Sequence, residues 1–142
     1  MRIYFQKLDP SVKLPFYAYE GDACMDLFSF EDLEIASGDK ALISTGLKIA
    51  IPAGYAGFIW DKSGIAFKYH IKTIAGVIDS NYRGELHVAL TNLGKEVYKI
   101  KKGEKIAQLV VKPIIVPKIT EVDELPRDDM RGEKGFGSSG LT

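Results

Sequence analysis

Short apolar runs punctuated by Gly, Pro, Asp and Asn recur along this chain: Ile3–Leu8, Cys24–Phe28, Ala41–Ser44, Leu47–Ile51, Gly57–Trp60, Gly76–Ile78, Leu86–Leu90, Val97–Ile100 and Ile106–Val111. Runs this short, several with an alternating apolar and polar period, predict β-strands, and their turn-rich spacing predicts an all-β sandwich or jelly roll. Ser63–Tyr69 has helical character but amounts to about two turns, so it reads as a connector. Sheets of this kind hide their edges by closure or by association, so an oligomer is expected. The segment Glu121–Asp129 is acidic and contains Pro126, and residues 131–142 are rich in Gly and Ser with one aromatic, Phe136. Such a composition buries no core of its own. The expected organisation is a β domain over residues 1–126 and a flexible C-terminal arm over residues 127–142.

Composition narrows the class. A chain of 142 residues, 46% hydrophobic, has enough apolar side chain for one cored domain and too little length for two. Lys plus Arg and Asp plus Glu both number 19, so no overall charge draws it to nucleic acid or to an anionic membrane, and any anion site must be local. Cys24 is the sole cysteine, which excludes an intramolecular disulfide and a cysteine-based metal site and fits a reducing cytoplasm. The N-terminal residues MRIYFQKLDP show no apolar signal-peptide core, and no stretch approaches membrane-spanning length.

The most informative stretch is Gly76-Val77-Ile78-Asp79-Ser80-Asn81-Tyr82-Arg83-Gly84-Glu85. An apolar run enters a turn that carries one carboxylate and one phenol, and Gly84 lets the chain return as the strand Leu86–Leu90. By itself this reads better as a surface turn, with Asp79 in an Asx-type bond and Tyr82 packed outside. Ser63 reads as an N-cap, and the helix start behind it offers N–H groups to a phosphate. Gln108 alone reads as a solvent-facing strand residue, His70 and His87 as structural or solvated, and Cys24 as a small core residue.

Five segments in order change this balance. They are Asp22-Ala23-Cys24-Met25-Asp26-Leu27, the segment from Gly54 to Gly64, the hairpin from Gly76 to Glu85, Gly103-Glu104-Lys105-Ile106-Ala107-Gln108-Leu109, and the segment from Arg131 to Gly140. Together they resemble the ordered motifs of the trimeric dUTPase family, from Asp22 to Gly140. Lys62 stands where that family usually has Arg, which keeps the charge but loses the bidentate fork. The resemblance implies a distorted jelly roll of the β-clip, dUTPase-like kind and Mg²⁺-dependent hydrolysis of dUTP to dUMP and pyrophosphate. It further implies a homotrimer with active sites shared between subunits. Asp79 is the implied base that activates water, and Asp26 the residue that reaches Mg²⁺ through water. Lys62, Ser63, Gly64, Gln108 and Arg131 are implied to hold the phosphates. The backbone around Thr73, Ile74, Gly76 and Arg83 to Glu85 is implied to read uracil, Tyr82 to exclude a 2′-hydroxyl, and Phe136 with Gly137 to close over the base.

A dCTP deaminase, or a bifunctional deaminase and pyrophosphatase, shares the jelly-roll ancestry. It is ranked lower because this chain has Lys62-Ser63-Gly64 in place of an Arg-Ser-Ser type motif and carries the Phe136 tail. A non-catalytic nucleotide-binding regulator of the same fold is the alternative from another class. Release of ammonia from dCTP, or absence of turnover, would distinguish these from the first reading.

Overall fold

The computed structural model describes residues 1–126, so Arg131, Phe136 and Gly137 lie outside the described residues. Among the described residues there are ten strands and one helix: β1 (Tyr4–Lys7), β2 (Met25–Phe28), β3 (Leu33–Ile35), β4 (Lys40–Ala50), β5 (Tyr55–Trp60), α1 (Ser63–Tyr69), β6 (Ile71–Thr73), β7 (Val77–Ile78), β8 (Glu85–Asn92), β9 (Tyr98–Ile100) and β10 (Lys105–Pro113). They form two four-stranded sheets, β1-β4-β8-β6 and β2-β10-β5-β7, and a small β3-β9 pair. The all-β expectation holds, as a jelly-roll-like arrangement rather than a closed barrel. No helix among the described residues is long and apolar enough to cross a membrane.

The core follows from strand period. In β8, Leu86, Val88, Leu90 and Asn92 are buried while their alternates are only partly covered, which places one face of the strand against the opposite sheet. Ile43 and Ile49 from β4 meet Leu27, Ile59, Ile106 and Leu109 from the second sheet in the same cluster. β2 differs: all four of its residues are buried, and one is Asp26.

Three expectations change in detail. Ala41–Ser44 and Leu47–Ile51 belong to one run, because β4 continues through Gly46 as a bulge, with its register against β8 shifting between Ser44 and Lys48. Gly46 has φ 67°, and a Cβ there would sit 2.6 Å from Val12 Cγ2, so glycine is required. β3 and β6 are not apparent as apolar runs, since each is three residues with a charged residue at its centre, Glu34 and Lys72. The N-cap of α1 is Lys62 rather than Ser63.

Asn92 is the polar tie of this core. Fully buried, it donates from Nδ2 to Ile35 O at 2.9 Å and Glu96 O at 2.7 Å, and its Oδ1 accepts from Gly94 N–H at 2.9 Å. Asn92→Ala strands these groups, and each buried polar group left unpaired costs about 1–3 kcal/mol. Urea unfolding should show a lower midpoint with a loss of at least about 1 kcal/mol, whereas an unchanged midpoint would contradict this role.

Candidate active site

The expected pairing of the Gly76–Ile78 and Leu86–Leu90 runs is not formed, because β7 pairs with β5 and β8 with β4 and β6 in the other sheet. The hairpin is instead the β6–β8 pair with the Asp79 turn in its long connection, and that turn is built by its own backbone and by Gly84. Tyr82 N–H donates to Asp79 O at 3.1 Å, closing the turn. The Tyr82 phenol then occupies the space that a Gly84 side chain would need, and its hydroxyl donates to Glu85 O at 2.7 Å. Arg83 locks the tip by donating to Ser80 O at 2.7 Å and Tyr82 O at 2.6 Å. The Glu85 side chain anchors the hairpin to the β4 bulge, accepting from Ser44 Oγ and from Gly46 N–H. The result is a cavity of about 320 Å³ lined by Asp79 and Tyr82 together with Leu42, Val77, Ile78, Glu85 and His87. His87 therefore borders the hairpin site, although its sequence gave it only a structural reading.

A second cavity, about 220 Å³, is lined by Asp22, Cys24, Asp26, Lys62 and Gln108, with Ala18 and Ala23. Strand register assembles it: Gln108 on β10 pairs with Asp26 on one side and with Trp60 on the other. Gln108 Nε2 donates to Asp61 O at 2.8 Å, fixing the turn that presents Lys62. Asp61 in turn accepts from Thr73 N–H at 2.7 Å, Thr73 Oγ1 at 2.6 Å and Lys72 Nζ at 2.6 Å. Thr73 thus has both donors engaged in holding this turn. Ser63 and Gly64 are exposed at the start of α1. Ile74 N–H is committed to Ala89 O at 3.0 Å, and the Gly76 carbonyl to Ile59 N–H at 2.8 Å.

Asp26 is only 5% exposed. Its Oδ1 meets Lys62 Nζ at 2.7 Å and its Oδ2 meets Lys105 Nζ at 2.7 Å. Lys105 and Asp61 lie within segments quoted above but were assigned no role. The strand register that brings Lys105 to Asp26 is invisible in one-dimensional sequence.

The two cavities share no lining residue. Ile78 pairs with Gly57, so Asp79 comes level with Ala56 near the start of β5, whereas Gln108 and Asp26 are in register with Trp60 at its end. Four residue steps separate those levels, roughly 13 Å along the strand. One chain therefore holds Asp79 and Tyr82 apart from Asp26, Lys62 and Gln108.

The second cavity can be tested for a metal. Among the described residues no group of three or more His, Cys, Asp or Glu is gathered to hold one. Both Asp26 oxygens are already paired with ammonium groups, and Asp22 on the same lining balances the second of these charges, so the corner has no direct carboxylate ligand left for a bare cation. These residues fit a hydrated Mg²⁺ that arrives already carried by a polyphosphate.

Burial pushes the Asp26 carboxyl upward, but hydrogen bonds and charge from Lys105 and Lys62 outweigh it and hold the group below the usual aspartate range. A folded-state value below the unfolded one adds stability above the ordinary value of about 3.9, and this is lost as pH falls through the folded value. Thermal stability of the wild type should therefore fall more steeply than that of Asp26→Asn below about pH 4. Parallel melting profiles over that range would contradict a paired, ionised Asp26.

Known proteins supply the comparison. Residues 11–140 match the dUTPase family. The chain is 46% identical over 142 residues to the deoxyuridine 5'-triphosphate nucleotidohydrolase of Clostridium kluyveri, covering 99% of both chains. It resembles the Staphylococcus bacteriophage 80alpha dUTPase with dUPNHPP, with a TM-score of 0.92, 32% identity and 99% of both chains covered. A dUTPase from phage phi11 of S. aureus with a structural Mg(II) ion aligns with a TM-score of 0.81 and 28% identity, over 87% of this chain and 98% of that one. With its motif order, jelly-roll-like fold and near-complete match to such relatives, this chain belongs to the dUTPase family.

Proposed function

We propose that this chain hydrolyses dUTP to dUMP and pyrophosphate, with Asp79 taking a proton from the water that attacks the α-phosphorus. The observation that carries the base assignment is an unspent carboxylate. Asp79 borders the hairpin cavity with no ionic or side-chain hydrogen-bond partner among the described residues, whereas Asp26, Asp61 and Glu85 are all tied to neighbours. An untethered carboxylate can accept the proton while pyrophosphate departs in line.

The remaining roles follow from what each group has left to offer. Lys62 and Gln108, with Ser63 and Gly64 beside them, would hold the phosphates, supplying orientation and charge. Mg²⁺ would enter with the triphosphate, with Asp26 holding it through water, and would neutralise charge on the phosphates. The Ile74 carbonyl and Gly76 N–H have no backbone partner among the described residues. Together with the Arg83 to Glu85 backbone they would read uracil, whose ring N–H and carbonyls cytosine does not reproduce. The Tyr82 ring, held by Glu85 O and pressed on Gly84, would close the 2′ face of the sugar.

The separation of the cavities along β5 supports a homotrimer in which one subunit's hairpin meets another's Asp26, Lys62 and Gln108. Residues 127–142 would act as an arm over such a site, with Arg131 on the γ-phosphate and Phe136 with Gly137 over the base. The single Cys24 supports a cytoplasmic setting.

Purified protein offered dUTP, dCTP, dTTP and UTP with Mg²⁺ should release dUMP and pyrophosphate from dUTP and handle the others poorly. Faster ammonia release from dCTP would overturn the assignment. Asp79→Asn should keep the fold and bind dUPNHPP while turnover drops by about 10²–10⁴-fold, and near-normal turnover would assign the base elsewhere. Tyr82→Ala should narrow the preference for dUTP over UTP in kcat/KM. An unchanged preference would remove the ring from sugar selection.

A further inference from the structure

Asp26 carries more cationic partners than its charge requires. The two lysines that bind it are not equivalent. Lys62 follows β5, lines the cavity shared with Gln108, and has Asp26 as its one ionic partner among the described residues. Lys105 stands on β10 outside that lining, with its Nζ also 5.3 Å from the centre of the Phe16 ring. Phe16 is itself bridged to Asp26, whose N–H donates to Phe16 O at 3.1 Å, and stacks on Phe28 with ring centres 5.6 Å apart. Lys105 is held from two sides, and Lys62 from one.

A bulge makes this arrangement possible. β10 pairs Gln108 with Asp26 and Ala107 with Leu27, but the register then shifts so that Lys105, not Ile106, lies opposite Phe28. The extra residue turns Lys105 to the face that Asp26 and Phe28 share, while Ile106 and Ala107 both remain buried. Without it, strand alternation would send Lys105 to the other face.

We propose that Lys105 is a positioning residue that keeps Asp26 paired through Oδ2 while an incoming triphosphate draws Lys62 off Oδ1, so that nucleotide binding occurs by ion-pair exchange. This rests on the dUTP reading above. Removing the only partner of a buried charge is strongly unfavourable, and the second lysine avoids that cost. The freed Oδ1 would then be available to accept a hydrogen bond from water around a cation accompanying the phosphates. Lysine suits position 62 in this scheme because a single ammonium on a flexible stem passes readily from carboxylate to phosphate.

The test is a double-mutant cycle read by calorimetric binding of dUPNHPP with Mg²⁺. Lys105→Met should weaken binding by about 10- to 100-fold, since Lys62 must now abandon a carboxylate with no other cation. In an Asp26→Asn background, where no buried charge remains, the same substitution should change affinity less than about twofold. Lys105→Arg should bind like the wild type. Lys105→Gln provides a second neutral variant should Lys105→Met fold poorly, as judged by its melting transition. Equal losses in both backgrounds would overturn the proposal by showing that Lys105 acts on the nucleotide directly, and so would wild-type affinity in the neutral variants. Failure of the wild type to bind dUPNHPP would instead overturn the dUTP reading itself.

Discussion

A carboxylate inside a strand that is buried along its whole length is the constraint around which this site is arranged. Every residue of β2 is covered, and Asp26 is the charged one among them. An isolated charge in that position would neutralise or drive local unfolding. Cations must therefore converge on it from both neighbouring directions. One comes from the end of β5 and the other from a bulged β10, and the Gln108 and Asp61 bonds hold the first of these in place. The paired lysines are thus the structure's means of tolerating Asp26.

The other half of the chemistry is built by different means. The hairpin at Asp79 carries no ion-paired network of its own and is shaped by backbone hydrogen bonds, the missing side chain of Gly84 and the anchoring of Glu85 on the β4 bulge. It leaves the Asp79 carboxylate without a side-chain partner among the described residues, while the Tyr82 hydroxyl and the Arg83 guanidinium hold the turn's shape. Rigid geometry at one end of β5 and exchangeable ion pairs at the other divide positioning from charge handling.

Much of this could be read in the residues. The helix Ser63–Tyr69 has the bounds that the sequence suggests, and the apolar entry to the Asp79 turn and its glycine exit are legible as a turn, but not that β7 and β8 go to different sheets and that β6 is the partner of β8. Motif order identified the family before any coordinate did, because five weak signals in sequence are jointly restrictive. Register was not legible. Whether Lys105 faces Asp26 depends on one bulged residue, and whether Thr73 is free depends on Asp61 reaching it from the far end of β5. The offset along β5 between the level of the Asp79 turn and that of the Asp26 row is likewise a sum of pairings that no local pattern encodes.

In the proposed trimer one chain carries two halves of a site that association brings together. This sharing is tested most directly by mixing two variants, Asp79→Ala and the double substitution Lys62→Ala/Gln108→Ala, each inactive alone. After joint unfolding and random reassembly as trimers, about one quarter of sites should combine an intact hairpin from one subunit with an intact Lys62 and Gln108 from another. The account predicts that dUTP hydrolysis returns to about that fraction of the wild-type rate. A mixture that stays inactive, with mixed trimers demonstrated by mass, would contradict it.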